Sequence, residues 1–166
     1  SYTITAYTDP APDPLTLGAR VTGSVPDNGS IARYDFTLTA ASRLIFDSLT
    51  ANSTLNWRLD GPDGFSINRL FYYSDGYNIG NDAIMALASG HYTLTIQSSG
   101  GAAAYDFRLL DLTASAPLSR NTTVSATEDP GAATTLYSFD ATKGEVLSLV
   151  TTEATGNLSR RLVDPF

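Results

Sequence analysis

Oxygen-bearing side chains are concentrated in one loop of this sequence, residues 74–82, and such a concentration is typical of a cation site. Four of them, Asp75, Asn78, Asn81 and Asp82, lie within eight residues. Ca²⁺ prefers several oxygen ligands from carboxylates, amides and main-chain carbonyls. The spacing does not match an EF-hand loop. We therefore treat the four residues as a candidate calcium site, with an ordinary turn held by local side-chain hydrogen bonds as the alternative.

Two smaller pairs of carboxylates offer weaker versions of the same chemistry. Asp60 and Asp63 flank a Gly-Pro step, and Asp9 and Asp13 flank the prolines of an N-terminal segment. Aspartate is frequent in turns because its side chain hydrogen-bonds the local backbone. Each pair is a candidate cation site with a plain turn or linker as its alternative.

An aromatic group precedes the acidic loop and is the candidate for ligand contact. Tyr72 and Tyr73 follow Phe71 directly, and Tyr77 lies within the loop. Consecutive aromatic side chains on a strand cannot all face inward, so at least one of Tyr72 and Tyr73 should be exposed. Exposed tyrosines suit stacking on a sugar or on a fibrous protein. The alternative is an aromatic rim that closes one end of the fold.

Catalytic chemistry is poorly supported, and we predict that the chain is not an enzyme, with no catalytic residues and no required cofactor; Ca²⁺ is a candidate ligand rather than a requirement. The one histidine, His91, precedes Tyr92 on a predicted strand; Tyr92 should face inward and His91 outward. No Gly-x-Ser-x-Gly motif activates a serine. The absence of cysteine removes thiolate catalysis, disulfides and thiolate metal sites.

The elements that would position these groups are strands. Apolar residues alternate with polar ones, as in the segments 32–39, 91–97 and 104–109, and turn residues recur at about every tenth position. This pattern predicts an antiparallel sandwich or barrel. The expected inward-facing residues are aromatic or aliphatic and occur at spacing two: Tyr34, Phe36, Tyr92, Leu94, Tyr105 and Phe107. Segments 44–46 and 147–150 are apolar enough for central strands.

The sequence also repeats itself with a shift of 103 residues (117 − 14 = 103). Residues 14–63 and 117–166 share 12 identities in 50 positions, against about 3 for unrelated segments. Tyr2 aligns with Tyr105 under the same shift. We therefore divide the chain into the last strand of a preceding repeat with a proline-rich linker (1–13), a complete unit (14–116) and the first half of a second repeat (117–166).

One pair of matching positions indicates where the strand that contains Trp57 lies in its sheet. Trp57 shares the side-chain direction of Leu55 and Leu59 and is expected in the core. Its counterpart 103 residues later is Arg160, which favours a sheet edge for this strand.

The ordered features of one unit resemble a known family. They are a Tyr-x-Phe strand, an apolar strand, a strand leading into Asp60-Gly61-Pro62-Asp63-Gly64, a Gly-x-Tyr-x-Leu-x-Ile strand from Gly90, and a closing Tyr-x-Phe-x-Leu from Tyr105. Together they resemble the bacterial pre-peptidase C-terminal domain. The resemblance implies a jelly-roll-like β-sandwich that occurs behind secreted proteases and as repeats in large surface proteins and adhesins.

Bulk properties limit the partners. The formal net charge is −7, so nucleic acid is not an expected partner, and no apolar run is long enough for a membrane span. We expect an extracellular or cell-surface module that serves as a spacer or adhesion unit among neighbouring repeats of the same protein. The alternative is an accessory domain of a secreted protease or other hydrolase that binds a matrix protein or a polysaccharide.

The half-unit carries its own expectation. Half a sandwich would expose apolar side chains and unpaired strand edges. We expect segment 117–166 to pair with the complete unit or, by strand exchange, with a second copy in a dimer. The predicted strand at residues 2–7 is available for the same exchange.

Overall fold

The computed structural model describes residues 1–6, 8–27, 29–75 and 83–164, and this part of the chain is all-β. Its strands, in chain order, are β1 (Asp13–Pro14), β2 (Val21–Val25), β3 (Ile31–Leu38), β4 (Ser42–Ser48), β5 (Leu55–Asp60), β6 (Ser66–Leu70), β7 (Ile84–Leu87), β8 (Gly90–Ser98), β9 (Ala103–Asp111), β10 (Ala116–Pro117) and β11 (Tyr137–Ser138). Short 3₁₀ turns follow β5, β6 and β9.

Eight of these strands form a jelly-roll sandwich, which confirms the predicted fold class. One sheet has the order β2-β9-β4-β7, and the other has the order β3-β8-β5-β6 with β1 added outside β3. All neighbours among the eight are antiparallel. Consecutive strands therefore lie mostly in opposite sheets, as in a double Greek key.

The core lies between the two sheets and follows the alternation of the sequence. The six residues expected to face inward are all buried, and Trp57 has no exposed surface. Trp57 stacks on Phe46 with ring centroids 4.5 Å apart, and Phe46 stacks in turn on Phe107 at 5.0 Å. The aromatic side chains thus join β5 of one sheet to β4 and β9 of the other.

The expected edge position of the Trp57 strand is wrong. Strand β5 lies between β8 and β6, and it pairs with both. Arg160, the counterpart of Trp57, lies exposed outside any strand. Arg160 therefore occupies an exposed environment unlike that of Trp57, and its charge does not indicate that β5 is an edge strand.

Two further expected strands are not formed. The described residues 1–6 lie outside any strand, with Tyr2 and Ile4 exposed by 88% and 81%, and segment 147–150 is likewise exposed and unpaired. A strand needs a neighbouring edge for its hydrogen bonds, and neither segment has one in this structure. The apolar pattern is therefore present without the pairing that would turn it into sheet.

A short parallel bridge occurs at both linkers, with the same register. Asp13 pairs with Tyr34 in the complete unit, and Ala116 pairs with Tyr137, both partners being displaced by 103 residues (116 − 13 = 103; 137 − 34 = 103). The hydrogen bond that follows each bridge is also repeated, since Leu15 N donates to Asp35 O at 2.8 Å and Leu118 N donates to Ser138 O at 2.7 Å. Each linker thus begins its unit in the same way.

Candidate functional site

The aromatic group expected to contact a ligand forms a 3₁₀ turn rather than a strand. Phe71–Tyr73 is one such turn after β6, and it places Phe71 in the core. Tyr72 and Tyr73 are exposed by 41% and 47%, and their rings pack edge to face with centroids 4.9 Å apart. The prediction that at least one of the two is exposed is confirmed. Both rings together offer a small aromatic surface just before Ser74 and Asp75 in the chain.

A buried hydrogen-bond chain holds this turn on the core. The indole Nε1 of Trp57 donates to Ser74 Oγ at 2.6 Å, and Ser74 Oγ donates to the Leu70 carbonyl at 2.8 Å. Ser74 has no exposed surface. The turn that carries Tyr72 and Tyr73 is therefore fixed by a polar contact inside the sandwich.

Asp75 is the predicted calcium ligand that the structure describes, and it is tied to a neighbouring strand. Its Oδ2 accepts a hydrogen bond from Ser48 N at 2.6 Å, at the end of β4. Its carboxyl also lies close enough to that of Asp47 to influence the pKa of Asp47. The other predicted ligands, Asn78, Asn81 and Asp82, and the aromatic Tyr77 lie outside the described residues.

Asp47 and Arg108 form a buried ion pair that the sequence did not single out. They are directly opposed on β4 and β9, and Arg108 Nε donates to Asp47 Oδ2 at 2.7 Å. Asp47 has no exposed surface, and the Arg108 side chain is 26% exposed. The pair also binds the main chain of Thr134, beyond the 112–117 linker. Asp47 Oδ1 accepts from Thr134 N at 3.0 Å, and Arg108 donates to Thr134 O at 3.2 Å.

The electrostatics of Asp47 reflect two opposed effects. Burial raises the pKa of the Asp47 carboxyl above its usual value, while hydrogen bonds from Arg108 and Thr134 act to lower it. A carboxylate removed from water is stable only when a cation and hydrogen-bond donors surround it. Asp47 thus depends on Arg108 and Thr134 together.

The burial of Asp47 could not be predicted from the sequence, because its position is that of an outward-facing residue in an amphipathic strand. Leu44 and Phe46 face the core, and the next residue is expected in solvent. The useful clue was an aspartate beside an apolar run together with an arginine in the predicted closing strand. Only the strand order β4-β9 shows that the two residues are opposed.

The remaining candidates are separate from this cluster. His91 is exposed, with Nε2 3.8 Å from Asp35 Oδ2 on the outer face of the sheet. Asp60 pairs with Arg58 at 2.8 Å, and Asp63 lies in the 3₁₀ turn Pro62–Gly64 with a φ of 55°. Asp9 and Asp13 are exposed in the linker segment. Among the described residues, no group of three or more histidine or acidic side chains is arranged to hold a metal ion.

Comparison with known proteins adds no family, since neither the family models nor the curated proteins searched contain a match to this sequence. No helix in the described part of the chain has the length and apolarity needed to cross a membrane.

Proposed function

We propose that this chain is a non-catalytic extracellular module of a tandem array, in the manner of pre-peptidase C-terminal domains, and that it acts as a spacer or adhesion unit of a bacterial secreted or surface protein. Such a module folds stably and holds the neighbouring repeats apart, and it does not turn over a substrate. The partners implied are neighbouring repeats of the same protein.

The observation that carries this proposal is the repeated linker geometry. The bridges Asp13–Tyr34 and Ala116–Tyr137 have the same register and are followed by the same hydrogen bond. A linker that pairs directly with its own unit leaves few free residues between units. Short, paired linkers favour an array with limited swing, which is what a spacer requires.

The test is whether the chain binds anything in the matrix outside the cell. The 166-residue protein, immobilised on beads, is incubated with collagen or with insoluble polysaccharides. A plain spacer retains no more of either probe than beads that carry serum albumin. Retention above that level would overturn the spacer role.

The second candidate is a substrate-binding accessory domain of a secreted hydrolase. It is favoured by the exposed pair Tyr72 and Tyr73, which the buried Ser74 holds in place. Paired rings on a fixed turn suit contact with a sugar face or a fibrous protein. Retention of collagen or polysaccharide that is lost in Tyr72→Ala/Tyr73→Ala, but kept in the control Tyr137→Ala on the second repeat, would establish this role.

Calcium stabilisation is a separate part of the proposal. The support is that Asp75 lies beside the buried Asp47, at the start of the acidic loop. A cation that binds only the folded chain raises its melting temperature. We expect millimolar CaCl₂ to raise that temperature in the wild type and not in Asp75→Ala; equal melting temperatures with and without CaCl₂ would exclude the site.

Strand exchange between copies is the last proposed partnership. It is supported by the exposed apolar side chains Val146 and Val150, 95% and 75% exposed, and by the unpaired Ile4. Sedimentation of this 166-residue chain over a range of concentrations tests it. A dimer that is lost in Ile4→Asp supports exchange, whereas a monomer at all concentrations excludes it.

A further inference from the structure

The buried pair Asp47–Arg108 lies where one unit meets the next. Resting on the tandem-module function above, we propose that this pair is a binding site for the edge strand of the following unit, and that it fixes the orientation of that unit. Its ligand is main chain: the amide hydrogen and the carbonyl oxygen of one residue, Thr134.

The hydrogen bonds along the second unit show which edge is held. Ala116 N donates to Leu136 O at 2.9 Å, and Leu118 N donates to Ser138 O at 2.7 Å. In an extended chain, alternate residues direct their main-chain groups to the same side. Thr134 is two residues before Leu136, so its main-chain groups point to the same side as those of Leu136 and Ser138. Its amide and carbonyl hydrogen-bond Asp47 and Arg108 instead of the linker.

The opposite edge stays free for the second unit's own sheet. In the complete unit, β3 meets the linker on one edge and pairs along its whole length with β8 on the other. Segment 134–138 matches residues 31–35 of β3 under the 103-residue shift. The contact with Asp47 and Arg108 therefore uses the edge that the sandwich does not need, and it does not compete with folding of the second unit.

The pair is specific to this junction. The position of Asp47 is occupied by Val150 in the following repeat, and the position of Arg108 is occupied by Thr5 in the preceding segment (47 + 103 = 150; 108 − 103 = 5). Neither neighbouring segment thus carries the residue found here. Junctions along the array should accordingly differ, with this one held more firmly.

Other contacts across the junction are weaker. A groove of about 340 Å³ separates Leu17 and Leu110 of the sandwich from Leu136. The half-buried Arg43 donates to the Asp164 carbonyl at 2.6 Å in a solvent-exposed hydrogen bond. Solvent-exposed polar contacts of this kind contribute little, whereas the fully buried Asp47 is desolvated and depends on both of its partners. The orientation of the second unit should therefore depend mainly on Asp47 and Arg108.

The experiment measures the distance between the two units. The chain has no cysteine, so Gln97→Cys and Lys143→Cys, both at exposed positions, provide unique sites for spin labels. Double electron–electron resonance on the full chain should give one narrow distance distribution. Asp47→Val/Arg108→Thr, which installs the neighbours' residues and leaves no orphan charge, should at least double the width of that distribution.

A second variant acts from the other side of the contact. Thr134→Pro removes the amide hydrogen and should broaden the distribution while every residue of the sandwich keeps its identity, whereas Thr134→Ser keeps both main-chain groups and the hydroxyl and should not. The control Arg58→Gln breaks the exposed pair with Asp60 on β5, in the sheet opposite to β4 and β9. An unchanged width in Thr134→Pro, or a wild-type distribution already as broad as that of the double variant, would overturn the proposal.

These outcomes are independent of the test of the proposed function. Retention on collagen or polysaccharide would remove the spacer role and leave the narrow distance distribution in place. A broad wild-type distribution would remove the orientation site and leave the non-binding module in place.

Discussion

Trp57 and Ser74 are joined inside the sandwich, where the indole Nε1 donates to the serine hydroxyl 2.6 Å away. Trp57 belongs to the central strand β5, and Ser74 ends the turn that exposes Tyr72 and Tyr73. The bond thus connects a fully buried aromatic side chain to the turn that carries two exposed tyrosines. Any ligand surface at this turn depends on the core beneath it.

Removing this bond should destabilise the whole sandwich. Ser74→Ala leaves a buried indole N–H without an acceptor, and the expected loss is about 1–3 kcal/mol in the free energy of unfolding. Urea unfolding followed by circular dichroism measures it. In a Trp57→Phe background the donor is already gone, so the same Ser74→Ala change should cost distinctly less; equal costs in both backgrounds would contradict the assignment.

The ion pair between Asp47 and Arg108 predicts a characteristic order of stabilities. Asp47→Val leaves Arg108 without its carboxylate and should cost about 3 kcal/mol, at the low end for a broken buried pair because Arg108 keeps some exposure. Asp47→Val/Arg108→Thr should be more stable than Asp47→Val alone, since no charge is left unpaired. Trp57 fluorescence during urea unfolding reports both values. A double variant less stable than the single one would contradict this account.

A more exposed pair, which includes another residue of β9, provides the control. Arg20 lies over Asp106 with its side chain 53% exposed. Its replacement by glutamine should leave the free energy of unfolding nearly unchanged, because solvent screens the interaction.

The strands of the complete unit could be predicted from the sequence because their burial follows a period of two. Tyr92 and Leu94 are buried and the intervening Thr93 is only partly so, as alternation requires. Segment 147–150 has a comparable apolar pattern and forms no strand. Alternation specifies which face a strand would bury, but pairing requires a neighbouring edge, and the sequence of the segment does not contain that information.

The candidate site was predictable only in part. Tyr72, Tyr73 and Asp75 stood out by type and spacing, and the structure places them together after β6. Asp47 and Thr134 are 87 residues apart and lie in different predicted units. Their contact depends on strand order and on how the second unit lies against the first, neither of which has a local signature.

From the contact between the hydroxyls of Tyr34 and Tyr105 we expect the folded chain to lose stability in alkali. They lie 2.6 Å apart and are buried. Burial, and then the hydrogen bond with Tyr34, raise the pKa of Tyr105 above its usual value. The folded chain therefore keeps this proton when the unfolded chain loses it, so the contribution is complete below pH 10 and declines as the pH rises further.

Chemical unfolding at pH 8 and at pH 11 should detect this decline. Tyr105→Phe has no proton to lose at this position, so its stability should fall less between the two pH values than that of the wild type. A parallel fall in both proteins would assign the alkaline effect to other groups.

Close packing around Gly23 gives a steric prediction. A Cβ placed on Gly23 would lie 2.3 Å from the Tyr105 hydroxyl oxygen. Gly23→Ala must therefore displace Tyr105 from Tyr34, and we expect a loss of about 1–3 kcal/mol. Gly131→Ala is the control, because nothing lies within 4 Å of its added Cβ. Thermal unfolding of both variants measures the difference, and a Gly23→Ala protein as stable as Gly131→Ala would refute the close approach.

We expect the turn that contains Glu145, in the predicted second unit, to lose stability in acid. Arg120 forms an ion pair with Glu145, which also accepts from Thr142 N at 3.0 Å. The Arg120 hydrogen bond, followed by the Thr142 amide, lowers the pKa of Glu145 to about 2. Folding therefore favours the ionised carboxylate: its contribution is present above the ordinary value of about 4.5 and is lost as the pH falls toward 2.

Carbon-13 NMR of the Glu145 carboxyl through an acid titration checks this directly. We expect a midpoint near 2 in the wild type. Arg120→Gln removes the largest cause of the shift, so the midpoint should move up toward the ordinary glutamate value. The conservative Arg120→Lys keeps a positive charge but not the two-pronged contact, and its midpoint should fall between the other two. A midpoint that is the same in wild type and Arg120→Gln would show that Glu145 does not depend on Arg120, and the turn of the second unit would then need another explanation.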